Sequence, residues 1–276
     1  MVRFVSVMIL ASLLAACDPP GSGSGTATPT PSAAPTPPVP PATESASASA
    51  SQRVGGARKV TEETDDYLFE YAYPAAAGNI DPLGDLLDAR LEKTRAELAA
   101  DSAKARDDAR EDGFPYNKHS FQGTWSLVAA IPGFVSLSQK FATYTGGAHG
   151  NYGVESLVWD TKAGRALNGI DLFTSPAALE TALGKRFCDG LDRERRKKGM
   201  QLPEEGGVFP KCPKIGELTV LVGSSNKQHF NRLTLYAGPY VAGSYAEGDY
   251  QVNLNVDRAV LAAVKPEYRE SFRTRN

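Results

Sequence analysis

The sequence predicts an α+β fold in which largely antiparallel sheets pack against two main helices. Apolar residues alternate in several segments, as in strands, and recur every third or fourth position in two longer segments, as in helices. The strands and helices come in groups rather than in strict alternation, which favours antiparallel over parallel sheets. With 276 residues, the chain is long enough for one or two domains with a sizeable core.

Residues 1–16 have the features of a secretion signal. Arg3 precedes an apolar run that is too short to span a bilayer as a helix. The run ends at Leu14-Ala15-Ala16-Cys17, which resembles a bacterial lipobox, and this resemblance implies acylation of the Cys17 thiol. An ordinary signal with a chance cysteine is the alternative. Asp18 favours an exported, periplasm-facing lipoprotein retained in the inner membrane, while an outer-membrane anchor stays open.

Residues 17–57 predict a disordered tether behind the lipidated cysteine. Pro, Ser, Ala, Thr and Gly dominate this stretch, so it cannot bury enough apolar surface to offset the entropy of ordering. As a flexible coil, roughly 40 residues would span about 35 Å. We interpret the stretch as an inert spacer that holds a folded domain away from the membrane.

The first folded part is expected at residues 58–143. The sequence YLFEYAY at 67–73 predicts a strand, and Asp81-Pro82 predicts a helix start, with Asp81 as N-cap and proline in the first turn. One apolar stripe follows on this helix, and a charged segment extends it into solvent. Alternating apolar positions from His119 then predict a hairpin that turns at Pro132-Gly133.

The second folded part is expected at residues 144–276. A strand at 152–160 ends in a tight turn, and Ser175-Pro176 opens a second helix with its own apolar stripe. The remaining predicted elements are strands at 218–222, 230–236 and 250–256 and a short helix at 257–264.

Two cysteines remain once Cys17 is assigned to lipid. Cys188 and Cys212 form an even pair in a chain expected to be exported, which predicts a disulfide. Two buried thiols are the alternative. Without a second pair or a nearby histidine, the two thiols make a poor metal site.

Several kinds of chemistry are not supported by the residues. A net charge of -2 and the export signal argue against a nucleic-acid partner. The three histidines lack metal-ligand spacing, so we predict neither a metal nor a cofactor. The Asp pairs at 65–66 and 107–108 lack the HxxxH partner of a deacetylase, and no GxSxG motif occurs. Ser224-Ser225-Asn226-Lys227 matches the S-x-x-K nucleophile pattern, but we interpret it as a polar turn.

Five basic residues at 193–198 close the second helix, where cations favour the negative end of the helix dipole. Contact with an anionic wall polymer or lipid headgroups is the alternative.

The most distinctive segment is YTGGAHGN at 144–151. Consecutive glycines permit positive φ, and the tyrosine, histidine and asparagine nearby could present a polar loop to a ligand. In the alternative interpretation, Gly146 and Gly147 only shape the turn and His149 forms a local hydrogen bond.

This segment also carries a family resemblance. Together with other motifs, it resembles the exported module shared by RsiV-type anti-sigma factors and the non-catalytic part of PdaC-type peptidoglycan deacetylases. The first folded part resembles the PdaC-type domain, and the second resembles its partner domain. The matching motifs are Tyr73-Pro74, the YTGGAHGN segment, Trp159-Asp160, GRAL at 164–167, Asp171-Leu172-Phe173, Pro239-Tyr240 and YAEG at 245–248.

The resemblance implies an α+β module at the cell envelope which, in the anti-sigma members, recognises lysozyme. It transfers no enzymatic activity. The sequence shows no deacetylase domain, transmembrane helix or sigma-binding segment, so we expect a non-catalytic binding module anchored to the membrane by its lipid. Its expected partner is a cell-wall glycan such as peptidoglycan, or a lysozyme-type protein. The candidate ligand-binding residues are Tyr144, Gly146, Gly147, His149, Asn151, Tyr240 and Tyr245.

Two alternatives stay open. An enzyme of unrecognised type would use His149 as general base, with Asp160 or Asp171 orienting it. A structural lipoprotein of the envelope would bind no small ligand.

Overall fold

The computed structural model describes residues 52–204 and 206–275. The secretion signal, the Cys17 lipid site and residues 17–51 of the expected tether lie outside the described residues and stay predictions. The last part of the expected tether, residues 52–57, is not a free spacer, because Arg53 forms ion pairs with Asp85 and Asp88 of the helix Asp81–Asp112. Within the described residues, no helix combines the length and apolar character needed to cross a membrane.

The first sheet has six strands arranged in sequence order. Neighbouring strands are antiparallel except β2 and β3, which run parallel because a helical crossover separates them. In chain order the elements are β1 (Arg58–Glu63), β2 (Tyr67–Tyr73), α1 (Ala75–Gly78), α2 (Asp81–Asp112), β3 (His119–Ile131), β4 (Phe134–Tyr144), β5 (Asn151–Asp160) and β6 (Arg165–Leu167).

Helix α2 covers one face of this sheet. Its leucine stripe is buried, whereas its last three turns are mostly charged, as expected from the sequence. Asp81 was predicted as N-cap, but it is the first helical residue and Ile80 precedes it without a side-chain cap. The core under α2 also contains the hydrogen bond from Trp125 Nε1 to Tyr71 Oη, at 2.7 Å.

The second sheet has three antiparallel strands in sequence order and packs against the second main helix. The elements here are α3 (Pro176–Lys197), β7 (Thr219–Gly223), β8 (Arg232–Ala237), β9 (Tyr250–Asn255) and α4 (Arg258–Ala263). The Ser175 side chain caps α3 by accepting from the Ala178 backbone N–H at 3.0 Å. Gly190 allows α3 to pack closely against β9, since a Cβ at this position would lie 2.3 Å from Val252 Cγ1.

The α+β fold class, with its largely antiparallel sheets and two main helices, is confirmed. The disulfide between Cys188 and Cys212 is also confirmed, with their Cα atoms 5.4 Å apart. It joins α3 to the segment that precedes β7. Strand β1 was not predicted, because its sequence RKVTEE is mostly charged.

Strands β3 to β5 contribute side chains to two cores. One face packs under α2, while Ile131, Phe134 and Val158 belong to the core of α3 and the second sheet. The expected boundary between residues 143 and 144 falls before the last residue of β4, and the six-stranded sheet continues beyond it to Leu167. The boundary between the two folded parts stays a prediction.

Candidate functional site

The candidate site is built from two loops. One loop joins β4 to β5, and the other joins β8 to β9. Gly146 and Gly147 have φ values of 89° and 85°, and an added Cβ at either would meet nothing within 4 Å. These glycines are therefore needed for the left-handed backbone of the turn. They are not needed to let another segment pack closely against the turn. The Tyr144 hydroxyl closes the turn by donating to the Gly147 carbonyl at 3.1 Å.

His149 and Tyr245 bring the two loops together. Their rings stack with centroids 3.9 Å apart and planes inclined by 21°. The Tyr245 hydroxyl donates to the Gly150 carbonyl at 2.9 Å, and His149 Nδ1 lies 2.8 Å from the same oxygen. The Gly150 carbonyl is thus a common partner of both rings.

Two further tyrosines complete the group. Tyr240 Oη lies 3.4 Å from His149 Nε2, and the Tyr240 and Tyr245 ring centroids are 5.7 Å apart. Tyr152 meets Tyr245 edge to face at 6.0 Å. We call His149, Tyr152, Tyr240 and Tyr245 the aromatic cluster. Tyr240 is 53% exposed with φ at 67°, an unusual backbone for a tyrosine.

The carboxylate of Glu247 stabilises the β8–β9 loop through hydrogen bonds. It accepts from the Ser244 backbone N–H at 3.0 Å and from the Tyr250 hydroxyl at 2.8 Å. Burial acts to raise the pKa of Glu247, but hydrogen bonds from Ser244 and Tyr250 outweigh it and lower that pKa below its ordinary value. Burial, together with the Glu247 hydrogen bond and charge, raises the pKa of Tyr250 to about 12.

The basic residues at the end of α3 differ from one another in burial and in hydrogen-bond partners. Arg195 is fully buried, and its guanidinium donates to the carbonyls of Lys211 and Ala242, each at 2.6 Å. Lys198 Nζ donates to the Glu247 carbonyl at 2.8 Å and lies 4.2 Å from the Tyr250 ring centroid. These two cations therefore bind nearby loop segments, a role that the helix-dipole interpretation did not include.

The structure brings together only part of the predicted residue set. His149, Tyr240 and Tyr245 are in contact with one another. Asn151 is not part of this group, and its Oδ1 accepts a hydrogen bond from the backbone N–H of the adjacent Tyr152 at 3.0 Å. Tyr152 was not among the candidates. Its place directly after the distinctive loop was the available signal.

The proposed pairing of His149 with an aspartate is wrong. Asp160 lies at the opposite end of the ten-residue strand β5, roughly 30 Å along the chain from the loop. Its Oδ1 caps a turn by accepting from Lys162 and Ala163. Asp171 is engaged locally and accepts from the Asn168 backbone N–H at 2.8 Å.

The S-x-x-K segment is a turn between β7 and β8, as interpreted from the sequence. Ser224 Oγ accepts from the Lys227 backbone N–H at 2.8 Å and donates to Asn226 Oδ1 at 3.1 Å. In the described part of the chain, no group of three His, Cys, Asp or Glu side chains could hold a metal ion.

One family model matches part of the chain. Residues 60–152, from β1 to the second residue of β5, match the family model described as Deacetylase PdaC. No curated protein matches the chain.

Two solved structures are similar to this chain. One is a member of the DUF3298 family from Bacteroides fragilis, with 14% identity over 72% of this chain and 88% of that chain, at a TM-score of 0.41. The other is a DUF3298 family protein from Pseudomonas aeruginosa, with 18% identity over 79% of this chain and 97% of that chain, at a TM-score of 0.42. The predicted resemblance to PdaC-type proteins is confirmed for residues 60–152.

Proposed function

We propose that this protein is a lipid-anchored, non-catalytic module of the cell envelope that binds a wall-degrading enzyme of the lysozyme type through the aromatic cluster. PdaC-type domains are typically exported, and the family match suggests an envelope-associated module. The lipobox-like sequence at Cys17 supports the anchor, and the resemblance to RsiV-type proteins supports the partner.

The exposed aromatic cluster is the observation that carries this proposal. Tyrosine side chains offer large, rigid contact areas with a polar end, and they are enriched among the residues that dominate binding energy at protein interfaces. His149 and Tyr240 are exposed, while Tyr245 is half-buried beneath them. The contacts to Gly150 and Glu247 hold these rings in place before a partner arrives, which lowers the entropic cost of binding.

The exposure of the cluster favours a protein over a small molecule. Small-molecule sites are concave and bury most of the ligand. Tyr240 is 53% exposed, and His149 is exposed beside it. Peptidoglycan, the other expected partner, could still stack sugar faces on the rings, so the test includes it.

The test is calorimetric titration of the full-length protein with lysozyme and, separately, a sedimentation assay with purified peptidoglycan. We compare Tyr245→Ala and His149→Ala with Phe114→Ala, which removes an exposed aromatic ring outside the cluster. Removing a central tyrosine from an interface costs about 2 kcal/mol or more, so we expect Tyr245→Ala to weaken lysozyme binding at least about thirtyfold. Phe114→Ala is expected to bind like the wild type.

Absence of lysozyme binding would overturn the proposal for this partner. Binding to peptidoglycan alone, lost in Tyr245→Ala, would reassign the same surface to a glycan. Equal loss of lysozyme binding in Phe114→Ala would contradict the role of the aromatic cluster.

A further inference from the structure

A concave surface lies on the second sheet, on the face that points away from α3. Val252 packs against α3 at Gly190, and because side chains alternate along a strand, Asn253 and Asn255 point to the opposite face. Both asparagines line a cleft of about 380 Å³, and no residue of the aromatic cluster does. We call it the second-sheet cleft. Its volume falls at the lower end of the range for small-molecule sites.

Two arginines stand at this cleft without a carboxylate partner. Arg232 of β8 and Arg275 of the segment after α4 line it, and both are exposed. Among the described residues, no ion pair includes either arginine, and no Asp or Glu belongs to the wall of the cleft. Because a guanidinium stays protonated at any physiological pH, the wall carries two lasting positive charges and no negative one.

Asn255 connects the two arginines. It lies directly opposite Arg232 in the pairing of β8 with β9, and its Oδ1 accepts a hydrogen bond from Arg275 Nη1 at 3.2 Å. A guanidinium can only donate, so this contact fixes the orientation of the amide and leaves the Nδ2 donor of Asn255 without a partner among the described residues. Asn253 Oδ1 is likewise occupied, by the Thr234 hydroxyl at 2.6 Å. The groups that remain for a ligand are therefore mainly N–H donors.

Positive charge combined with N–H donors indicates an anionic ligand, and the number of donors favours a phosphate over a carboxylate. A phosphate monoester carries a charge of about −1.5 to −2 at pH 7 and three strong acceptor oxygens. A carboxylate carries a single charge on two oxygens. The two guanidinium groups and the Asn255 amide supply three separate sets of donors, which the phosphate oxygens can use at the same time.

The remaining wall offers an apolar contact. Strand β3 shifts register between Leu127 and Ala129, and the bulged Val128 lines the cleft. Val128 lies beside Gly223 of β7, where an added Cβ would be 3.8 Å from Val128 Cγ1. The cleft therefore has an apolar surface for an organic group attached to the phosphate.

We propose that the second-sheet cleft binds a small, soluble phosphate monoester, with the phosphate group held by Arg232, Arg275 and the Asn255 amide. The organic part of the ligand packs against Val128. The concave shape favours a soluble ligand, which the walls can surround, over a phosphate headgroup fixed in the plane of a membrane. This site goes beyond the proposed function and shares no residue with the aromatic cluster.

The experiment is calorimetric titration of the full-length protein with glycerol 3-phosphate at pH 7 and constant ionic strength. Glycerate is the comparison probe, because it offers a carboxylate on a similar hydroxylated carbon chain. We expect saturable binding of glycerol 3-phosphate and at least tenfold weaker binding of glycerate. Absence of glycerol 3-phosphate binding, or equal binding of glycerate, would overturn the proposal.

Asn255→Asp tests the location of the site. The substitution keeps the shape of the side chain and the acceptor for Arg275, so we expect the fold to be retained. It also replaces the Nδ2 donor by an oxygen and adds a negative charge, which should weaken glycerol 3-phosphate binding at least tenfold. Gln251→Glu is the matched control, because it adds the same charge to an exposed position of β9 outside the cleft. Undiminished binding in Asn255→Asp, or an equal loss in Gln251→Glu, would contradict the site.

Two further comparisons separate this site from other anion contacts. Arg232→Gln should weaken binding at least tenfold, whereas Arg258→Gln, at an exposed arginine of α4 outside the cleft, and Tyr245→Ala should leave it unchanged. Vesicles that contain phosphatidic acid present the same phosphate group on a membrane, and Cys17→Ser keeps the expected lipid anchor from contributing. Binding of Cys17→Ser to these vesicles without binding of glycerol 3-phosphate would overturn the assignment to a soluble ligand.

Discussion

Glu247 is the residue whose charge most directly supports the geometry of the candidate site. Its pKa is lower in the folded protein than its ordinary value, so its contribution to stability is present above the unfolded pKa and is lost as pH falls through the folded pKa. We expect Glu247→Gln to reduce the free energy of unfolding by about 1–2 kcal/mol at pH 7. The difference should shrink as pH falls below about 4.5.

Urea denaturation at pH 7 and pH 3 measures this effect. Glu267→Gln is the matched control, because Glu267 is exposed on the surface. A Glu247→Gln penalty that is equally large at both pH values would contradict the role assigned to the charge.

At the residue scale, the sequence predicted the site where a local pattern revealed it. The glycine pair and His149 stand out in a short segment, and Tyr240 and Tyr245 carried the family resemblance. Tyr152 gave a weaker signal, its place directly after the distinctive loop, because a tyrosine within a strand is ordinary. Its role depends on Tyr245, which the contact between the two loops brings near it.

At the element scale, α3 is joined to the segment before β7 by a buried cation as well as by the disulfide. The Arg195 guanidinium donates to carbonyls of two separate segments, at Lys211 and Ala242. Hydrogen bonds of a charged donor contribute about 1.5–3 kcal/mol each. Arg195→Met should therefore lower the free energy of unfolding by about 3 kcal/mol or more.

Thermal and chemical unfolding test this expectation against Arg196→Met, whose side chain is exposed on the next position of the helix. If both variants lose the same stability, the hydrogen bonds of Arg195 are not what fixes the segment.

Most elements could be predicted because their periodicity is local. The apolar stripes of α2 and α3 and the alternation in β3, β4 and β9 appear directly in the sequence. Strand β1 was missed because its pattern is charged, and its place is fixed by antiparallel pairing with β2. The parallel pairing of β2 and β3 depends on the α2 crossover and has no signature of its own.

At the scale of the whole molecule, one sheet contributes side chains to two cores and to the candidate site. Strand β5 begins beside the aromatic cluster and places Val158 in the second core. The strand therefore connects the candidate site to the core of α3 and the second sheet.

The lipid anchor is a property of the whole chain. If Cys17 is acylated, the wild-type protein should fractionate with membranes and partition into the detergent phase, whereas Cys17→Ser should not. Cys188→Ser serves as control, because it removes a cysteine of the disulfide instead. Unchanged membrane association of Cys17→Ser would contradict the anchor.

Hydrogen exchange of the full-length protein with and without lysozyme tests the central claim most directly, since it locates the contact on the intact molecule. We expect protection at residues 144–152 and 238–248, the two loops that carry the aromatic cluster, with unchanged exchange at the end of α2. Protection confined to other segments, or no protection at saturating lysozyme, would contradict the assignment of the aromatic cluster as the binding surface.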